Sequence, residues 1–262
     1  ARAETELSGV RQGVGAGYTI PLSDPLNEKL ELRTSYVNET TDTTDSEQVS
    51  VGADYIVKLK SGWVATPSVE YLRETYQVAD QVDQAELVIP GFQLSRVKSD
   101  DPIYPRFGWR LGGKVRGAHK ALSSSATFTQ YDLWGKLVLP VFKGRFITRG
   151  EFGFTDVSDV TELPASLRFF AGGDSSVRGF AYESLGPKND DGEVIGGRHL
   201  LVGSVEYDYP VTQNWSVAVF GDAGNAFNDF DDYEIERSAG FGVRWRSPLG
   251  PIRVDLARGV EE

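Results

Sequence analysis

Side-chain character alternates with a period of two along almost the whole of this chain, which leaves room for little except long β-strands. Phe241, Val243 and Trp245 alternate with Gly242, Arg244 and Arg246. After the turn Ser247-Pro248-Leu249-Gly250-Pro251, Ile252, Val254 and Leu256 alternate with Arg253, Asp255 and Ala257. Successive strand side chains point to opposite faces, so each segment has one apolar face and one charged or very small face. The same split sets Val49, Val51, Ala53, Tyr55, Val57 and Leu59 against Ser50, Gly52, Asp54, Lys58 and Lys60. It recurs at Phe107, Trp109, Leu111 and Val115 against Arg110, Lys114 and Arg116. No window carries a comparable helical period of about 3.6.

The pattern predicts about twelve strands, near 5–20, 28–38, 47–60, 62–76, 84–98, 106–118, 126–141, 145–156, 199–210, 214–225, 238–247 and 251–260. Many exceed the roughly five or six residues of soluble sheets and match the roughly 9–11 of a tilted membrane-spanning strand. Compact turns at 60–62, 143–144 and 247–251 alternate with longer polar links at 38–47 and 226–237, the habit of outer-membrane barrels. Aromatic residues near strand ends (Trp63, Tyr71, Tyr76, Tyr207, Tyr209, Trp215 and Trp245) suit interfacial girdles. A soluble β-sandwich alternates too. Its outward face, however, seldom mixes so many glycines with Arg, Lys and Asp, and its strands are shorter. The expected fold is an all-β antiparallel transmembrane β-barrel.

Composition removes other classes. No apolar run approaches the roughly 18–20 residues of a transmembrane helix. With 38 acids against 27 bases, a net charge of -11 makes nucleic acid an unlikely partner. There is no cysteine, and the two histidines, His119 and His199, sit at separate strand ends. Disulfides, thiol chemistry and a histidine metal site are therefore not expected. No Gly-x-Ser-x-Gly elbow or Walker-type loop occurs. Gly13-Val14-Gly15-Ala16-Gly17 lacks the following helix of a dinucleotide site and reads as a flat or bent strand. The acidic stretches 38–47 and 228–232 lack the ligand spacing of a calcium loop and read as solvated surface. No enzyme, cofactor or metal is expected. The opening Ala1-Arg2-Ala3-Glu4 reads as a mature chain or an excised piece.

One segment, about 157–198, breaks the rhythm at a length that is usually functional or disordered. It is too apolar for a free loop, with Phe169, Phe170, Val177, Phe180 and Tyr182, so it should fold back into a barrel lumen. Phe170-Ala-Gly-Gly-Asp-Ser-Ser-Val-Arg-Gly-Phe180 resembles the sixth-loop motif of the BamA/TamA superfamily of outer-membrane assembly and secretion barrels. Three further segments match in order: Ser204-Val205-Glu206-Tyr207, Phe220-Gly221-Asp222-Ala223-Gly224-Asn225, and Trp245 to Pro251. Residues 99–108 are similar to a strand-connecting turn of the TamA branch. The resemblance covers nearly the whole chain and is most specific over 168–260.

The resemblance implies a bacterial outer-membrane location and a loop motif of Gly172, Gly173, Asp174, Val177, Arg178, Gly179 and Phe180. It also implies that Arg178 reaches acidic partners on the strands after the loop, Glu206 and Asp222. Strand phase agrees independently: Glu206 lies between outward-reading Val205 and Tyr207, and Asp222 shares the phase of Ser216 and Ala218. Family barrels have sixteen strands, with this loop between the eleventh and twelfth. Eight strands before the loop and four after it would match strands four to fifteen. The first three strands, the last strand and the periplasmic POTRA-type domains would then lie outside this chain. Alternatively, twelve strands, an even number, would close as a smaller barrel.

The implied partners are the outer-membrane lipid bilayer, unfolded outer-membrane protein clients, and a periplasm-spanning partner reached through the absent N-terminal domains. The implied function is to assist insertion, assembly or translocation of outer-membrane proteins and autotransporters. Two alternatives stand beside it: a secretion pore or anchor for an N-terminal passenger such as a patatin-like effector, and a structural surface antigen.

Overall fold

The computed structural model describes residues 1–248 and 250–260, with the backbone alone at Asp232. Leu249 of the turn motif lies outside the described residues. Thirteen strands follow in chain order. They are β1 (Arg2–Leu7), β2 (Arg11–Pro21), β3 (Glu28–Thr40), β4 (Thr44–Lys58), β5 (Val64–Val78), β6 (Gln81–Ser99) and β7 (Gly108–Ala118). Then come β8 (Phe128–Val141), β9 (Gly144–Asp156), β10 (His199–Pro210), β11 (Trp215–Phe227), β12 (Glu236–Ser247) and β13 (Gly250–Gly259). Each pairs antiparallel with its sequence neighbours in a single sheet. No pairing joins β1 to β13 among the described residues, so the sheet is open.

The stretch expected as one strand over 5–20 is two. The chain reverses at Ser8, whose hydroxyl oxygen accepts the Arg11 N–H at 2.9 Å, and Arg2–Leu7 pairs back along Gln12–Gly17. Nine strands therefore precede the long loop, not eight, and the total of thirteen removes the even-number argument for a small closed barrel. The link expected over 38–47 is also not a loop. β3 and β4 remain paired through Asn38↔Glu47 and Thr40↔Asp45, leaving only 41–43 as the turn. Its polar composition belongs to an inner face: Thr44 and Ser46 are buried. Turns at the long-loop end include the tight 8–10, 41–43 and 79–80, so long and short connections separate less cleanly than expected.

Alternation becomes two faces. On β11, Ser216, Ala218, Phe220 and Asp222 are buried, whereas Val217 and Val219 are 46% and 60% exposed. Val51, Tyr71, Leu111, Leu133, Val205, Phe241 and Val254 are likewise exposed and apolar, which suits a hydrocarbon surround. Trp215 and Trp245 pair across β11 and β12 and stack at 5.5 Å. The inner face is polar: Arg33 on β3 bridges Asp54 at 2.9 Å and Glu70 at 2.5 Å, on β4 and β5.

Residues 157–198 lie against this inner face. Val157, Leu163, Ala165 and Leu167 are buried with Leu72, Tyr76, Leu87, Ile89 and Phe128 of β5, β6 and β8, so Tyr76, expected in an interfacial girdle, instead faces inward and packs on the loop. Such burial is favourable by roughly 25 cal/mol per Å² of apolar surface removed from water. A second cluster joins Ala171, Val177 and Leu185 to Leu200, Val202 and Ala226 of β10 and β11. The loop also meets β3 through Tyr182 and β13 at Gly179, so the sheet wraps around it and encloses a lumen.

Candidate functional site

The loop motif turns twice. Gly173 N–H bonds to the Phe180 carbonyl at 3.1 Å, and Ser176 N–H to the Gly173 carbonyl at 3.1 Å, making a compact corner. Arg149 of β9 holds this corner by donating to the Ser175 and Ser176 carbonyls at 2.7 and 2.9 Å. Val177, fully buried, pulls the following residue inward. Gly179 has φ +94°, and a Cβ there would stand 3.0 Å from the Arg258 backbone, so only glycine lets the motif lie on β13.

Arg178 is thereby delivered to the wall. Its Nε donates to Asp222 Oδ2 at 2.8 Å and one Nη to Oδ1 at 2.9 Å, a bidentate pair, while its backbone N–H reaches Oδ2 at 3.0 Å. The other Nη donates to Glu206 at 2.9 Å and Asp255 at 3.3 Å, and Ser204 Oγ accepts at 3.2 Å. The Phe220 ring lies 3.4 Å from Cζ, a cation–π contact. Arg244 completes the network, donating to Glu206 at 3.1 Å and pairing with Asp255. The arrangement is charge-assisted and dry: the Arg178 and Asp222 side chains are 4% and 0% exposed. Fixed charges on four elements hold the loop at one depth and angle.

The structure thus brings Arg178, Glu206 and Asp222 together. Val177 packs beneath them, Gly172, Gly173 and Gly179 shape the turns, and the Phe180 ring lies over Gly259. Asp174 is exposed at the corner and stands apart from the cluster. Sequence reasoning missed Arg244, Asp255 and Arg149. Arg244 and Asp255 do occupy the polar phase of their strands, so alternation marked them as inward, but only register makes them partners. Gly242 faces Asp255 and leaves the space in which that carboxylate meets Arg244.

A second contact ties the loop to the far wall. Tyr182 Oη donates to Glu39 of β3 at 3.2 Å, and Glu39 also takes Arg11 of β2 at 2.6 Å. Neighbouring Glu183 is partly buried, and burial, then the charge of Glu39, pushes its carboxyl up to about 7.

A long-stranded antiparallel sheet, apolar outside and polar within, wrapped around a loop pinned by one arginine, is the wall of a transmembrane β-barrel. Residues 3–262 match the Omp85 superfamily domain, and the chain belongs to that superfamily of bacterial outer-membrane proteins. It is 31% identical over 109 residues to the outer membrane protein assembly factor BamA of Nitratidesulfovibrio vulgaris strain Hildenborough, covering 38% of this chain and 14% of that protein. It is 24% identical over 192 residues to BamA of Neorickettsia risticii strain Illinois, covering 65% and 24%. The chain therefore spans less than a quarter of either relative. The crystal structure of BamA from Haemophilus ducreyi lacking POTRA domains 1-3 shares the fold, with a TM-score of 0.86 at 18% identity over 99% of this chain and 60% of that one.

Proposed function

We propose that this chain is the barrel domain, residues 1–262, of an outer-membrane assembly factor. The parent protein would help unfolded outer-membrane proteins, autotransporters among them, to insert, assemble or cross the membrane. The Arg178 cluster carries the reading. One loop arginine tied to β10, β11 and β13 braces a wide wall from inside, as a barrel with a weak seam requires. Gly172, Gly173, Asp174, Val177, Gly179 and Phe180 would shape the brace, and Glu206 and Asp222 would receive it. The mechanism makes no covalent bond. Unpaired strand edges are costly in lipid, by several kcal/mol per unsatisfied group, so a seam that offers temporary pairing lowers the barrier to insertion. A locally thinned bilayer lowers it further. A periplasm-spanning partner would be reached through domains beyond this chain. With nine strands before the loop, the chain would correspond to strands three to fifteen of a sixteen-stranded wall.

The test is client folding in liposomes carrying the full-length parent. Protease-protected client should appear faster with the parent than without it, and Arg178→Ala should remove most of the gain. No acceleration by the parent would overturn the reading. A secretion pore or passenger anchor is the second reading, favoured by the charged inner face of Arg33, Asp54, Glu70, Lys114 and Asp132, which suits polypeptide passage. Intact mass and N-terminal sequencing of the native protein separate the two, through adaptor domains or an effector before Ala1.

A further inference from the structure

The link 100–107, between β6 and β7, lies at the end of the sheet opposite the long loop. Its own acids shape it. The Asp100 carboxylate accepts the backbone N–H of Arg106 at 3.0 Å and of Phe107 at 3.2 Å. Asp101 accepts those of Ile103 and Tyr104 at 2.8 and 2.7 Å. Pro102 and Pro105, each with its own φ fixed by the ring, stiffen the link. The outcome is that Tyr104 points across the lumen rather than along its own hairpin.

There its ring is gripped from both sides. The guanidinium carbons of Arg145 on β9 and Arg246 on β12 each lie 3.4 Å from the ring centroid. The phenol donates to Asp208 Oδ2 of β10 at 2.9 Å and comes within 3.5 Å of Ser216 Oγ on β11. Asp208 is 1% exposed, and Arg145 pairs with the same oxygen at 2.7 Å. Arg145 also donates to the Pro105 carbonyl at 2.8 Å. A link rooted on β6 and β7 is thus fastened to β9, β10, β11 and β12, a chord across the lumen. Tyr104 and the Pro105 carbonyl carry these contacts to that far wall. Beside the chord a cavity of about 640 Å³ stays open, lined by Arg106, Lys143, Arg246 and Val211.

We propose that the 100–107 link is a strap closing this end of the lumen, with Tyr104 as its latch. The long loop closes the other end by a packed apolar core and a buried ion network. The strap is held by one aromatic ring and one backbone carbonyl next to an open, polar-lined cavity, so it is the end suited to open without unfolding the wall. This assignment rests on the contacts of the link itself and is the same whether the parent inserts clients or exports a passenger.

The chain has no cysteine, so one placed in it can be read alone once any cysteine elsewhere in the parent is replaced by Ser. Lys136, on the inner face of β8, is replaced by Cys in the full-length parent, reconstituted in liposomes, and labelled with a bulky maleimide. Adding Tyr104→Ala should accelerate labelling several-fold. Adding Ile103→Ala should not, because Ile103 is 71% exposed on the same strap and points away from the latch. Equal labelling in Tyr104→Ala and the parent, with both folded by heat-modifiable gel mobility, overturns the proposal. So does equal acceleration by Ile103→Ala. Should Tyr104→Ala fail to fold, Arg246→Gln, which bares one face of the ring and leaves Asp208 paired, is read instead. Parental labelling in that variant overturns the latch in the same way.

Discussion

Arg178 donates to three carboxylates and a hydroxyl from a position almost closed to water. Removing the guanidinium leaves Asp222 buried and ionised without its partner, a change that costs about 3–5 kcal/mol in comparable buried pairs. Arg178→Ala should accordingly lower the urea midpoint of the folded barrel by an amount of that order. Exchanging the two groups, Arg178→Asp with Asp222→Arg, should recover part of the loss. Lysine cannot reproduce the two-pronged geometry, so Arg178→Lys should fall between wild type and alanine. At Gly242 a methyl group would overlap the Asp255 carboxylate, and overpacking of this kind costs about 1–3 kcal/mol. Gly242→Ala should show that loss in the same titration. Glu206 and Asp222 were legible through the resemblance of the loop motif and of the strands after it, and strand phase agreed. Asp255 and Arg244 carried the same mark, but nothing in a linear pattern says that β12 and β13 set them beside the loop.

The loop shows what an element can do that its residues cannot do singly. Its apolar anchors bury one half against β5, β6 and β8, and Arg178 ties the other half to β10, β11 and β13. The corner at Tyr182 and Glu183 then crosses to β2 and β3. Glu183 titrates near 4.5 when free and near 7 when docked, so docking takes up a proton. The corner contact is therefore firmest below about pH 4.5, weakens as pH rises toward 7, and is constant above that. Charges facing this carboxyl come from Glu39 and Arg11, with Tyr182 as a donor. Hydrogen exchange over 180–186 should accelerate between pH 5 and 7.5 after correction for intrinsic rates, and Glu183→Gln should flatten that dependence. That the segment folds inward was readable from its aromatic content. The β3–β4 hairpin was not readable, because residues 38–47 are polar for the sake of the inner face rather than of solvent.

Across the molecule, an apolar outer belt and a charged interior divide one sheet between two solvents. An arginine on the lipid face near the bilayer midplane costs about 2–4 kcal/mol. Val219→Arg should lose stability of that order in a bilayer-folding titration, whereas substitutions of exposed polar residues in the end links should be near neutral. The resemblance of the loop motif pointed Arg178 to Glu206 and Asp222, whereas the sequence by itself determined that the chain is all-β and which strand positions share a face. Those are local properties, set by a period of two and by side-chain chemistry. Tertiary structure alone decided the count of thirteen, the Arg244–Asp255 pair and the grip of Arg145 and Arg246 on Tyr104. Each depends on register and on curvature, which bring together residues up to about 140 positions apart, and no pattern along the chain encodes such a distance.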